Sequence, residues 1–248
     1  MINKSTIKYI QSLQHKKHRD EHHQFIAEGP KVVKELLLSN NFECDGIYCT
    51  QKGASFLNDL PKSTALPTIY EIADFEFHKL SALSTPNHIL AVFKKKTLAT
   101  TTQLQQKLTL LLDDIQDPGN LGTIIRIADW YNIEHVFCTP ATADCYSPKV
   151  VQSTMASLGR VHLFYTDLQS ILQQHTNIKK YAAVLGGKDV RQYGKLQEGF
   201  LIIGNESKGI SDAILQQVDE KITIPKFGAA ESLNAAVATG IILFSVTG

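Results

Sequence analysis

From residue 108 to the last residue, short apolar runs rich in Leu, Ile and Val alternate with stretches of helical character. Few folds accommodate that alternation. Strands are expected at 108–112, 135–137, 162–164, 181–184, 200–203 and 221–224. Helices are expected at 121–130, 148–157, 168–174, 211–217 and 233–244. A strand that is apolar along its length is buried on both faces, which is the condition of a parallel sheet covered by helices. Ligands of such sheets sit in the loops beyond the strand carboxyl ends. Chemistry is therefore expected in the loops at 113–120, 185–190, 204–209 and 225–234.

The first part of the chain alternates less strongly. Residues 5–18 read as a polar helix with Ile7, Ile10 and Leu13 on one stripe. Strands are expected at 24–27, 46–49, 68–70 and 89–93. Gly29-Pro30 opens a helix whose apolar face is Val33, Leu36 and Leu37, since proline suits the first helical turn. Further helices are expected near 54–60 and 72–80. The sum is α/β layering. Residues 94–107 are polar, rich in Thr and Gln, and without period, so they read as a linker. The expected organisation is a domain at 1–95, a linker at 96–107 and a second domain at 108–248.

Composition excludes several classes. With 43% hydrophobic and 20% charged residues the chain is globular, not disordered. Its apolar runs are too short to cross a bilayer, and no apolar segment follows Lys4 and Lys8, so neither a membrane span nor a secretory signal is expected. Four cysteines without a CxxC pair suit a reduced, cytoplasmic protein. His22-His23 and the pair His15/His18 have no supporting Cys or carboxylate at zinc spacing, so no metal is expected. Ser232 has no nucleophile elbow around it. The net charge is only +1, but it is uneven. Residues 1–107 carry 14 Lys and Arg against 10 Asp and Glu, a balance of +4; residues 108–248 carry 11 against 14, a balance of −3. The first segment, with its cationic cluster His15–Arg19, is the better candidate for a polyanion partner.

Three loops could carry chemistry. In Asp113-Asp-Ile-Gln-Asp-Pro-Gly-Asn120 the Pro118-Gly119 pair forces a turn, Asn120 is a helix N-cap candidate, and Arg126 follows on the helix. Gly204-Asn-Glu-Ser-Lys-Gly209 follows the apolar strand directly, and its two glycines let backbone approach a ligand. It is not a phosphate loop, because Ile210 stands where a lysine is needed; no GxGxxG opens a helix either. In the third loop, 224–234, Ser232 or Asn234 could cap the last helix, or present polar groups to a ligand at its N-terminus.

Taken together these loops resemble the three motifs of the SpoU/TrmH family of RNA ribose 2′-O-methyltransferases. The residues are Asp117-Pro-Gly-Asn120-Leu-Gly122 with Arg126, then Ile202-Ile-Gly204-Asn-Glu206-Ser-Lys-Gly209, then Ile224-Pro225 with Glu231-Ser232-Leu233-Asn234. Ser147-Pro-Lys-Val150 with Ser153 and Met155 also fits, and Phe25-Ile-Ala-Glu28-Gly29 with Val33 and Glu35 resembles the family's small RNA-binding domain. The sequence departs from the common pattern at Lys226 and at Ala235-Ala236. The resemblance implies a SPOUT fold, in which the C-terminal segment of the parallel sheet domain threads a deep trefoil knot. It further implies S-adenosylmethionine as cofactor, no metal, and a homodimer. By motif, Gly204, Ile224 and Leu233 frame the cofactor. Asn120, Arg126, Glu206, Ser232 and Asn234 match the family's catalytic positions, with Arg126 either the base or a cation that holds RNA phosphate. Structured RNA is the implied substrate, ribosomal RNA in preference to transfer RNA. The alternative is a catalytically inactive RNA-binding protein of the same fold, distinguished by failing to bind the cofactor. A nucleotide-dependent enzyme is disfavoured by the missing phosphate loops.

Overall fold

The computed structural model describes residues 2–61, 63–64, 66–96 and 103–247. Residues 97–102 of the expected linker lie outside the described residues. In chain order the first elements are α1 (Lys4–Ser12), α2 (Lys16–His22), β1 (Gln24–Glu28), α3 (Pro30–Leu38), β2 (Cys44–Cys49), α4 (Gln51–Ser55), β3 (Ile69–Glu71), α5 (Asp74–Leu80) and β4 (Ile89–Lys94). After the linker come β5 (Leu108–Asp113), α6 (Pro118–Trp130), β6 (His135–Cys138), α7 (Pro148–Ser153), β7 (His162–Tyr165) and α8 (Leu168–Gln174). The last are β8 (Lys180–Asp189), β9 (Gly199–Gly204), α9 (Asp212–Leu215), β10 (Glu220–Thr223) and α10 (Ala235–Thr247). The chain divides into two compact units, Met1–Thr97 with Asp144–Arg160, and Leu98–Ala143 with Val161–Gly248.

The first unit is built on a four-stranded mixed sheet in the order β1-β4-β2-β3. β4 is antiparallel to both β1 and β2, while β2 and β3 are parallel. Segment 144–160 completes this unit. Its Tyr146 ring lies 4.8 Å from Phe25, which stacks at 5.7 Å on Phe93. Burial in that aromatic cluster pushes the Tyr146 hydroxyl well above its ordinary range. The helix expected over 5–18 is two helices. Asn3 caps the first, its Oδ1 accepting from the Thr6 amide at 2.8 Å. The break follows because the carbonyls of Leu13 and Gln14 accept from Arg19 Nη1, at 3.0 and 2.8 Å, instead of continuing a helix ladder. Arg19 Nε and Nη2 donate to Asp144 Oδ2 at 3.0 and 2.6 Å. Arg19 is thus 2% exposed, and the cationic cluster of residues 15–19 presents one cation fewer than its sequence shows.

The second unit is the expected parallel sheet, six strands in the order β10-β8-β9-β5-β6-β7. Leu110, Leu111, Leu112, Phe200, Leu201 and Ile202 are all at 0% exposure, the double burial that continuous apolar strands require. One expectation fails here. The loop anticipated at 185–190 is mostly strand, because β10 shifts register between Lys221 and Ile222 and re-pairs with Lys188 and Asp189. The helix expected at 148–157 stops at Ser153, where Met155 and Ala156 turn left-handed. Among the described residues no helix is long and apolar enough to cross a membrane.

Candidate functional site

The site gathers at the carboxyl ends of β5 and β9. Asp113 ends β5, is 6% exposed, and accepts from the Ser211 amide at 2.8 Å. The next carbonyl, that of Asp114, accepts from Asn205 Nδ2 at 2.8 Å. Loop 204–209 folds on itself. Asn205 and Gly209 exchange backbone hydrogen bonds of 3.0 and 2.9 Å, and Asn205 Oδ1 accepts from the amides of Ser207 and Lys208 at 2.9 and 3.0 Å. Those amides are consumed inside the loop, which is the physical reason it cannot cradle a phosphate. Two glycines are obligatory. Gly209 has φ +71°, and a Cβ on Gly204 would fall 2.3 Å from the Gly209 carbonyl carbon.

The first loop starts its helix earlier than expected. Asp117, not Asn120, is the N-cap of α6, its Oδ1 accepting from the Asn120 amide at 2.8 Å, with Pro118 in the first turn. The Asn120 side chain is therefore free for the site. Its Nδ2 donates to Glu206 Oε1 at 2.5 Å and its Oδ1 accepts from Asn234 Nδ2 at 2.7 Å. Asn234 Oδ1 in turn accepts from the amides of Ala236 and Val237 at 3.0 and 3.2 Å, so Asn234 caps α10. One hydrogen-bond chain thus joins the start of α10, Asn234, Asn120 and the Glu206 carboxylate, binding three separate loops together.

Behind this chain lies a cavity of about 930 Å³. Gly204, Glu206, Ile224, Ser232 and Leu233 all line it. Its volume is that of a pocket for a ligand of nucleoside size or larger. Its walls come from β8, β9, α10 and the loops after β9 and β10, and mix apolar side chains such as Val184, Ile203 and Ile242 with the charged Glu206, Lys208, Lys226 and Glu231. Arg126 is placed apart. It is exposed on α6, lines no part of the cavity, and its side chain has no hydrogen bond among the described residues. Trp130, one helical turn on, shares its face of α6 and is 84% exposed. Sequence reasoning gave no role to Asn205, Asp113 or Asp114, the residues that fix the second loop. The signal available for them was the acidic doublet immediately after an apolar strand.

Two family models match the chain, one in each half. The model of the SpoU rRNA Methylase family matches residues 107–244, and that of the MRM3-like substrate binding domain matches residues 4–91. The 23S rRNA (guanosine(2553)-2′-O)-methyltransferase of Bacillus subtilis is 30% identical over 98% of this chain and 96% of its own. A TrmH-family protein of Porphyromonas gingivalis superposes with a TM-score of 0.87 at 34% identity, covering 100% of this chain and 98% of its own. An AdoMet-bound rRNA methyltransferase of Sinorhizobium meliloti superposes with a TM-score of 0.86 at 26% identity, covering 99% and 95%.

Proposed function

Since this chain belongs to the SpoU rRNA methylase family, we propose that it methylates a ribose 2′-hydroxyl of structured RNA from S-adenosylmethionine, with ribosomal RNA favoured over transfer RNA. The observation that carries the assignment is the cavity lined by Gly204, Ile224 and Leu233 and closed at Glu206 by the Asn234–Asn120–Glu206 chain. The residues fit the cofactor. Gly204 lets the loop fold tightly, because any side chain there would collide with the Gly209 backbone, and that tight loop forms one wall of the cavity. Apolar side chains such as Val184, Ile203, Ile224 and Leu233 offer a surface to the adenosine part of such a ligand. When bound, S-adenosylmethionine supplies an electrophilic methyl group and the leaving group.

The protein's work is then positioning and proton removal. Asn120 and Asn234 hold Glu206 at the cavity wall, and the second carboxylate oxygen of Glu206 has no hydrogen bond among the described residues. Ser232 lines the same cavity and offers a hydroxyl to the ribose. For Arg126 its exposure on α6 supports the role of a cation that grips RNA phosphate. Arg126→Lys separates the two roles. A lysine acting as base brings a new limb into the pH–rate profile, whereas a phosphate-holding cation leaves the profile's shape unchanged and lowers only RNA affinity.

The same reading includes a homodimer. α10 (AAVATGIILFSVT) has no charged residue on any face, yet Val237, Ile241 and Phe244 are 51%, 38% and 71% exposed. A helix apolar all round belongs in an interior, so a second copy covering this stripe and Trp130 accounts for it. Arg126, sharing the Trp130 face, then stands at the edge of the partner. Residues 1–95 present exposed Lys4, Lys8, Lys16 and Lys17 to RNA, and residues 108–248 carry methyl transfer. The trefoil threading of the C-terminal segment belongs to this reading, supported by the way residues 203–210 and 222–235 contribute to one cavity. A reducing compartment such as the cytoplasm fits the four free cysteines.

A further inference from the structure

We propose that α2 carries a surface site for a zinc-class divalent ion, with His18, Glu21 and His22 as its three protein ligands. Read in pairs along the chain, the histidines had no carboxylate at zinc spacing. The break that ends α1 changes this. A new helix begins at Lys16 and sets Glu21 three residues, and His22 four residues, after His18. Two histidines at i and i+4 share a helix face, an arrangement that binds zinc, and the i+3 carboxylate adjoins it. One ligand atom from each of the three residues lies within 4.8 Å of the other two. His18 Nδ1 and Glu21 Oε2 are already 3.1 Å apart. Bonds of about 2.0–2.2 Å to a tetrahedral ion separate neighbouring ligands by about 3.4 Å, so closure needs only side-chain rotation of the exposed Glu21 and His22.

The helix is prepared to hold such a geometry. Seven residues of helix are marginal in isolation. Here Arg19, between the ligands, is anchored through Asp144 and two backbone carbonyls, and Asp20 pairs with Lys95. His22 is held from outside by the Tyr9 ring, edge-on at 5.2 Å, and its ring stacks on His18 at 6.5 Å. Two imidazoles with one carboxylate select a borderline ion of the zinc class over magnesium or calcium, which prefer all-oxygen shells. The fourth position stays open to water, because all three ligands reach solvent. This site is independent of the methyltransferase reading and lies wholly within the first unit.

The test uses the full chain, freed of metal by chelation and titrated with Zn²⁺ in a calorimeter. A parallel titration with Co²⁺ reads ligand-field absorption. The expected result is one saturable equivalent per chain. The double variant His18→Gln/His22→Gln loses it, Glu21→Gln weakens it, and His23→Gln, outside the cluster, leaves it unchanged. All four substituted side chains are exposed or half-exposed, and circular dichroism confirms that each variant folds. Absence of saturable binding overturns the site. So does undiminished binding in the double variant, which would place the ion elsewhere, for instance on a cysteine.

Discussion

Asn120→Asp is the sharpest perturbation of the hydrogen-bond chain, because it changes one donor and no volume. In the native chain Asn120 Nδ2 donates to Glu206 Oε1 at 2.5 Å while Oδ1 accepts from Asn234. The aspartate keeps the second contact and turns the first into two facing carboxylates. Unit charges about 4 Å apart near a protein surface repel by about 4 kcal/mol. Both side chains are half-buried, and relaxation leaves about 2–4 kcal/mol. Spent on displacing Glu206, that is a fall of about 30- to 1,000-fold in kcat. The sign with pH is fixed. Like-charge repulsion raises the pKa of the carboxylate pair, so one proton is shared between them as pH falls, and the proton restores the missing donor. Activity of the variant, relative to the native enzyme, therefore rises on acidification. The assay is single-turnover methyl transfer at saturating RNA and cofactor across a pH series. A variant within about threefold of native kcat at every pH, or one with no relative gain in acid, refutes the role given to this chain.

Two other expectations follow from packing. Arg19→Ala leaves the half-buried Asp144 without its arginine partner and frees two carbonyls, costing the first unit about 3 kcal/mol, read as a lower denaturant midpoint; a loss under about 1 kcal/mol contradicts the anchoring role. Phe244→Glu places a charge in the exposed stripe of α10 and yields monomers in sedimentation without loss of helical content, whereas an unchanged dimer moves the interface elsewhere.

The second unit was legible because its strands are buried on both faces. Apolar runs such as 108–112 and 200–203 have no alternative to a covered parallel sheet, and they fall within a residue of the observed β5 and β9. The misreadings have local causes. The helix at 5–18 has a continuous polar pattern, and only Arg19, reaching back to the carbonyls of Leu13 and Gln14, interrupts it. Nothing near 185–190 announces that a register shift in β10 would extend β8. At the site, motif spacing identified Asn120, Glu206 and Asn234, and the fold joins those three in one hydrogen-bond chain. What spacing hid was the role of Asn120. Asp117 caps α6 in its place, and only that substitution of cap frees the Asn120 amide to bridge the other two loops. Arg126 was equally plain as a motif residue, yet its distance from the cavity is a property of the helix face, visible only in three dimensions.

The central claim is that this chain moves a methyl group to a ribose hydroxyl, and one measurement addresses it directly. The purified protein is incubated with methyl-labelled S-adenosylmethionine and, separately, ribosomal and transfer RNA lacking native methylation. The label is then mapped by nucleotide and by atom. The prediction is a single labelled 2′-O-methyl ribose in ribosomal RNA, with labelling by Arg126→Ala reduced at limiting RNA although that variant still binds the cofactor. Label on a base, or no label from a protein that binds RNA but not S-adenosylmethionine, contradicts it.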